Sequence, residues 1–204
     1  MKATTERGQF RNLALSILKG RDNALWDQEP THQTYLYPLD ASPELLDLGE
    51  SIARQKPKIP KKQLFQIGPF LATNSPLSHR GPFKHAIDFL VPDGTVVLAA
   101  ASGVVVEIQE TSTTWGPGPK FRDYLNYLTI RHPNGEFSQY CHLQAGSVSK
   151  LNISIGTQVQ PGQMIATVGQ TGWTDREHLH FIVFLLDHRP ENKAGFKSLV
   201  PQFK

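Results

Sequence analysis

His178 and His180, separated by one leucine, are the side chains of this sequence whose types and spacing most directly suggest chemistry. They open the run His178-Leu179-His180-Phe181-Ile182-Val183-Phe184-Leu185-Leu186, whose apolar continuation has the texture of a buried strand. Side chains on a strand alternate between faces, so the two imidazoles project to one side and Leu179 to the other. Neutral imidazoles held that way can share a zinc ion, or one can bind metal while the other handles protons. A polar strand face carrying two histidines by chance has the same pattern, so the pair acquires meaning only with further ligands.

Three other places supply groups of the right kind. In Ser78-His79-Arg80-Gly81-Pro82-Phe83-Lys84-His85-Ala86-Ile87-Asp88-Phe89, Asp88 falls inside an apolar strand. An unpaired carboxylate is costly to bury there, and a metal ion or a strong donor would remove the cost. In Tyr140-Cys141-His142-Leu143, His142 ends a strand among apolar neighbours. His132 opens the turn Pro133-Asn134-Gly135 and reads as a hydrogen-bonded turn residue. Cys141 is the only cysteine, which rules out an intramolecular disulfide and a cysteine-rich zinc site. Adjacent strand residues face opposite ways, so Cys141 and His142 make a poor catalytic pair, and Cys141 reads as a small buried residue.

These groups need a framework, and the sequence supplies it from residue 61 onward. Short apolar or alternating runs, separated by Gly, Pro and Asn, predict strands over residues 86–91, 95–101, 103–109, 127–132, 137–142, 164–168 and 180–186. No long helical period interrupts them. Two segments resemble each other: Pro92-Asp93-Gly94-Thr95-Val96-Val97 leads to Ser102-Gly103-Val104-Val105, and Gly156-Thr157-Gln158-Val159 leads to Pro161-Gly162-Gln163-Met164-Ile165-Ala166. Such paired, Gly-punctuated hairpins suit a flattened antiparallel β-sandwich or barrel. Upstream, residues 9–19 carry Phe10, Leu13, Ile17 and Leu18 near helical spacing. Ser42-Pro43 predicts a helix start, the helix running to Arg54 before Lys56-Pro57-Lys58-Ile59-Pro60 breaks it. Residues 1–60 therefore read as a partly helical N-terminal extension and residues 61–204 as the domain.

Composition narrows the class further. The chain is 39% hydrophobic and 19% charged, an ordinary globular balance, and its 16 Gly and 15 Pro favour a turn-rich β fold. No apolar run approaches the ~20 residues of a membrane span. Residues 1–11 are mostly polar and the apolar stretch that follows is short, so no secretory pattern is visible and the sequence reads as cytoplasmic. The formal charge of +3 is modest. Its one concentration, Arg54, Lys56, Lys58, Lys61 and Lys62, reads as a solvated linker, and no nucleic-acid partner is expected.

Taken together, the blocks Ala86-Ile87-Asp88-Phe89 with Pro92-Asp93-Gly94-Thr95, Asn126-Tyr127-Leu128-Thr129-Ile130-Arg131-His132, Tyr140-Cys141-His142-Leu143, Gly169-Gln170-Thr171-Gly172 and His178-Leu179-His180-Phe181 resemble the lysostaphin-type, or LytM-like, zinc metallopeptidases. They occur in the family's order, and the resemblance runs from about Gln66 to the C-terminus, where Leu199-Val200-Pro201-Gln202-Phe203-Lys204 is similar to the family's last strand. Residues 1 to about 60 are not covered. The resemblance implies the antiparallel fold of that family, built on a duplicated hybrid motif. It also implies a zinc site of two His and one Asp: His180 and Asp88 as ligands, with His142 and His178 unligated and catalytic. The family's usual spacing is His-x-Gly-x-Asp. Here His85 lies only three residues before Asp88, on the opposite face of a regular strand, whereas His79-Arg80-Gly81 reproduces the first half of the motif. His79 is therefore the expected third ligand, with residues 82–86 inserted as a small loop; a β-bulge would be needed to bring in His85.

What the resemblance implies is a zinc metalloendopeptidase acting on peptidoglycan peptides in the bacterial cell wall, in a family that acts in the periplasm or outside the cell; a monomer is expected, although no residue pattern sets the oligomeric state. Zinc on three protein ligands can acidify a water and polarise a peptide carbonyl, while two free imidazoles handle protons and the oxyanion. A LytM-like module that has lost catalysis and activates other wall hydrolases is the alternative. A lipoyl-type or phosphoryl-carrier domain is remoter: the turn Gln160-Pro161-Gly162-Gln163 holds no lysine, and a carrier has no use for Asp88. The chain departs from the family before His178, where Thr174-Asp175-Arg176-Glu177 replaces small residues and Gly-Pro. These residues, with Trp115 and Trp173, are expected to line the cleft.

Overall fold

The computed structural model describes residues 28–42, 44–75 and 78–204. The helix expected over residues 9–19 lies outside them. Strand β1 (Pro30–Tyr35) precedes helix α1 (Glu44–Arg54), and a hairpin of β2 (Leu64–Ile67) and β3 (Phe70–Thr73) follows. Next come β4 (Ile87–Phe89), β5 (Val96–Leu98), β6 (Gly103–Gln109) and β7 (Trp115–Gly116). The chain continues through β8 (Tyr127–Arg131), β9 (Phe137–Cys141), β10 (Gln158–Val159) and β11 (Met164–Thr167). It closes with β12 (Gly172–Trp173), β13 (Leu179–Leu186) and β14 (Phe196–Phe203).

The architecture is mainly β and antiparallel, as the sequence predicts. One large sheet runs in the order β10-β6-β8-β9-β13-β4-β3-β2. β13 is its spine. One edge of β13 pairs with β9; the other pairs with β4 near its start and with β14 near its end. Alternation along these strands divides the sheet into two faces. Leu128, Ile130, Tyr140, Phe181 and Val183 turn to one face and pack with Val97, Ile165 and Ala166 in the main core. Tyr140 is fully buried, and its hydroxyl accepts the Ala100 N–H at 2.9 Å, so its one polar atom is not stranded.

The two similar segments pair with each other and not each with itself. β5 lies antiparallel to β11, and β6 lies antiparallel to β10. The Gly94 N–H donates to the Val168 carbonyl while the Val168 N–H donates to the Thr95 carbonyl, closing the first of these contacts. The internal resemblance therefore marks two halves that interlock.

Where the sequence draws a boundary at residues 56–60, the described part of the upstream stretch is built into the sheet. β1 pairs parallel with β14, and Leu39 bridges Val97. Tyr35 and Leu39 are core residues, and the Tyr35 hydroxyl donates to Oε2 of the buried Glu136 at 2.7 Å. Helix α1 covers the same molecule further along: Ile52 and Ala53 pack with Leu90 and Ile59. At Gly49 a Cβ would lie 2.8 Å from the Leu90 carbonyl oxygen, so only glycine allows this approach. The β1 strand and the β2–β3 hairpin carry no sequence signal as strong as the downstream runs, because β1 is polar and β2 has few buried residues.

Candidate active site

Strand register explains how two of the expected groups meet. His180 on β13 stands opposite Asp88 on β4 and opposite Cys141 on β9, and Asp88 stands opposite Thr73 on β3. Residues directly opposite in neighbouring strands share a face, so this row projects away from the main core. His180 Nδ1 lies 2.8 Å from Asp88 Oδ1. His79 arrives from the loop after β3. Gly81, at φ +55°, turns the chain immediately after it into a 3₁₀ segment (Gly81–Phe83) that occupies the expected insertion. His79 Nε2 lies 3.1 Å from Asp88 Oδ1 and 3.3 Å from His180 Nδ1. Among the described residues, His79, Asp88 and His180 form the group whose donor atoms could hold a metal ion. His85 stands apart from that group, and its backbone N–H donates to Ser198 Oγ at 3.1 Å.

The donor set fits a metal by chemistry and by spacing. Two imidazole nitrogens and a carboxylate oxygen are a set that zinc takes readily, and bonds of about 2.0–2.1 Å in a tetrahedron put neighbouring ligand atoms about 3.3 Å apart. The observed separations of 2.8, 3.1 and 3.3 Å lie close to that edge length. His79 Nδ1 is buried with no partner among the described residues, so this ring is anchored from the Asp88 side.

The other two expected histidines close the opposite side. His178 Nε2 is 3.6 Å from Asp88 Oδ1, and the His142 ring lies 4.5 Å from the His178 ring, centroid to centroid. On a regular strand His142 would turn away from Cys141 and from the site. Its backbone instead adopts φ +62°, a left-handed conformation uncommon outside glycine, which brings the ring round. The two imidazoles are held alike. His142 Nδ1–H donates to the Thr171 carbonyl at 2.7 Å, and His178 Nδ1–H donates to the Arg176 carbonyl at 3.0 Å. Each bond fixes the tautomer and leaves Nε2 as the lone-pair nitrogen.

Electrostatics reinforce this division. Burial pushes the Asp88 carboxyl up, but His79, His178 and the hydrogen bond from His180 outweigh it and hold the group well below the usual carboxylate range. Burial, reinforced by His178 and His180, holds His142 well below the usual imidazole range. Burial also lowers His180 against the opposing pull of Asp88. An ionised carboxylate thus faces His142 and His180, both shifted toward the neutral form that metal ligands and proton acceptors need.

Several residues read in the sequence only as members of a block turn out to support the site. Thr171 Oγ1 accepts the Asn126 N–H at 3.1 Å and donates to the Leu143 carbonyl at 3.2 Å, fixing the segment whose carbonyl holds His142. Thr174 Oγ1 donates to the Arg176 carbonyl at 2.7 Å beside His178. Cys141 shares the sheet face of His180 but is buried, and burial pushes its thiol far up, so it is no nucleophile. His132 is buried between the Ser102 carbonyl and Ser138 Oγ, a structural residue as expected. β7 and β12 pair in parallel with Trp115 opposite Gly172 and Trp173 opposite Gly116, so the two tryptophans take opposite faces of this short ladder. Trp115 is exposed, and Arg122 lies over the Trp173 ring.

A β-sheet domain that gathers two His and one Asp beside two further, tautomer-fixed His has the build of a metallopeptidase. The chain belongs to Peptidase family M23, whose family model matches residues 82–192, more than half of the chain. That span takes in Asp88, His142, His178 and His180 and begins just after His79. The chain is 34% identical over 113 residues to the DD-carboxypeptidase/endopeptidase Mpg of Neisseria meningitidis serogroup B, covering 55% of this chain and 23% of that one. It is 35% identical over 104 residues to the peptidoglycan DD-endopeptidase ShyC of Vibrio cholerae, covering 51% and 19%, respectively. It is 32% identical over 121 residues to lysostaphin of Staphylococcus simulans, covering 59% and 21%. The chain thus spans between 19% and 28% of the length of these and similar curated relatives. Among solved structures it is similar to the catalytic domain of lysostaphin from S. simulans, with a TM-score of 0.40 at 25% identity over 56% of this chain and 74% of that one. Among the described residues no helix is long and apolar enough to cross a membrane.

Proposed function

We propose that this chain is a zinc-dependent endopeptidase that hydrolyses peptide bonds in bacterial peptidoglycan, in crosslinks or stem peptides. His79, Asp88 and His180 are its metal ligands, and His142 and His178 its catalytic residues. The observation that carries the reading is the convergence of His79 Nε2, Asp88 Oδ1 and His180 Nδ1 within 3.3 Å of one another, next to two imidazoles whose Nδ1 is already committed. Zinc held there supplies an acidified water and polarises the scissile carbonyl. The protein's own part is proton handling. Nε2 of His142 or His178, carrying the lone pair, would accept the proton of the attacking water, hydrogen-bond the oxygen that gains charge, and pass the proton to the amine nitrogen as the C–N bond breaks. The backbone carbonyls of Thr171 and Arg176 stabilise the imidazolium each ring becomes. The substrate class rests on family membership and on relatives whose names specify peptidoglycan and DD-endopeptidase activity.

Zinc stoichiometry and digestion of purified peptidoglycan, measured on the parent chain and on His79→Ala and His85→Ala, test the reading. About one zinc per chain is expected, lost with His79→Ala and kept with His85→Ala, together with release of muropeptides by the parent alone and by His85→Ala. A parent chain that takes up no zinc even when supplemented would sink the enzyme reading and favour a module that activates other wall hydrolases.

A further inference from the structure

The turn before the histidine pair is tied to a part of the chain outside the span of the family model. Arg176 is 7% exposed, and its side chain points away from the site to the connector after α1. Its Nη2 donates to the Pro57 carbonyl at 2.6 Å. Its Nε and Nη2 also grip Asp175 Oδ1 and Oδ2 at 2.8 and 3.0 Å, a two-point fork that fixes the guanidinium plane. The same residue's carbonyl holds His178 Nδ1–H, and its N–H donates to Thr174 Oγ1 at 3.2 Å. One residue therefore contacts the connector through its side chain and His178 through its backbone.

The acceptor at the far end is itself held in place. The Ile59 N–H donates to the Ala53 carbonyl at 3.2 Å, and the Gln55 N–H donates to the Ile52 carbonyl at 3.1 Å, on either side of Pro57. Ile59 is buried with Ile52, Ala53 and Leu90, the residue two beyond Asp88. The connector is thus anchored to Leu90, the residue that follows the strand carrying the Asp88 carboxylate.

We propose that Arg176 is a positioning residue: by clamping the Thr174–His178 turn to the Pro57 carbonyl, it sets the ring angle and tautomer of His178, making the segment upstream of the M23 match part of the catalytic apparatus. The proposal rests on the endopeptidase reading for the consequence it has on turnover, and on geometry alone for its effect on the His178 ring.

The test uses the full chain with Arg176→Met, which keeps length and removes every donor, and with Arg176→Lys, whose single ammonium can still reach one carbonyl. The structural readout is the downfield Nδ1–H proton resonance of His178, assigned by its loss in His178→Gln. In Arg176→Met this resonance should broaden away through solvent exchange. Turnover of a peptidoglycan peptide should fall about ten- to a hundredfold, the cost of a small misplacement of a reacting group, with KM within about twofold. Arg176→Lys should recover part of both, and zinc content should stay at the parent value in each. A sharp, unshifted His178 resonance in folded Arg176→Met overturns the proposal, as does a loss confined to thermal stability with kcat unchanged. If Arg176→Met does not fold, Arg176→Gln, whose shorter side chain cannot span to the Pro57 carbonyl, decides: a broadened resonance with parental zinc supports the clamp, and a parental spectrum and kcat overturn it. Were the parent to show no peptidase activity, the resonance would still answer for the clamp by itself.

Discussion

Asn126 offers a quantitative test of the framework around His142. It is fully buried, and its side chain joins three segments: Nδ2 donates to the Ser112 carbonyl at 2.8 Å and to the Leu143 carbonyl at 3.2 Å, while Oδ1 accepts the Ser112 N–H at 3.0 Å. Its backbone N–H donates to Thr171 Oγ1, next to the carbonyl that holds His142. Asn126→Asp keeps the shape and the accepting oxygen but replaces the NH2 donor with an oxygen facing two carbonyls. Two lost hydrogen bonds cost about 1 kcal/mol each, and stranding the Ser112 carbonyl against a buried carboxylate adds about 1–2 kcal/mol more. The expected loss at pH 7.5 is therefore about 3–4 kcal/mol, or roughly 10 °C in melting temperature for a chain of this size. The sign of the pH dependence follows. Burial beside carbonyls raises the folded pKa of the introduced carboxyl above its unfolded value of about 3.9, so the folded variant binds more protons between those two values. Its stability relative to the parent should fall as pH rises through that window, and near pH 4 the protonated acid, with one O–H to donate, should recover about half the loss. Urea unfolding followed by tryptophan fluorescence at pH 4 and 7.5 reads both. A variant within about 0.5 kcal/mol of the parent at pH 7.5, with the parent's pH profile, would refute the reasoning.

Two further predictions concern other parts of the sheet and rim. Tyr35→Phe removes the hydroxyl that donates to buried Glu136 and should cost about 2 kcal/mol in urea unfolding without altering zinc content; an unchanged midpoint would mean that β1 rests on the domain without stabilising it. Asp93, whose carboxyl is pushed up to about 6 by burial and then by Glu177, makes the folded state bind more protons than the unfolded chain between about pH 3.8 and 6, so stability should decline as pH rises across that window. Because the residue is exposed, solvent screening keeps the effect under about 1 kcal/mol, and Asp93→Asn should flatten that part of the profile; an identical slope in the variant would assign the pH dependence to other groups.

What could be read from the sequence follows the period of the backbone. His180 and Asp88 were legible because a regular strand fixes which face each residue takes, and the pairing of β13 with β4 brings them into register. The row of core residues on the opposite face was legible for the same reason. His142 was legible as a strand-end histidine, but its role beside the H-x-H pair came through resemblance alone, since alternation turns it away and φ +62° brings it back. The polar β1 strand, joined to the domain through Tyr35 and a buried carboxyl, leaves no periodic trace. The charged turn at residues 174–177 was visible as a departure, but its partner is a backbone carbonyl more than a hundred residues away, a contact that no local pattern encodes.

The same division accounts for how the site is held. Strands supply Asp88 and His180, where ladder hydrogen bonds on both sides leave little freedom, and loops supply His79, His142 and His178. A loop histidine needs a substitute for the ladder, and the rings of His142 and His178 find it in a carbonyl on a neighbouring turn. Each turn is then braced from outside the site: Thr171 by Asn126 and Leu143, Arg176 by Thr174, Asp175 and Pro57. In the proposed site, the orientation of His142 and His178 therefore depends on residues outside the cluster itself. Substitutions at these braces should lower turnover while leaving metal content intact, whereas substitutions at His79, Asp88 or His180 should remove both together.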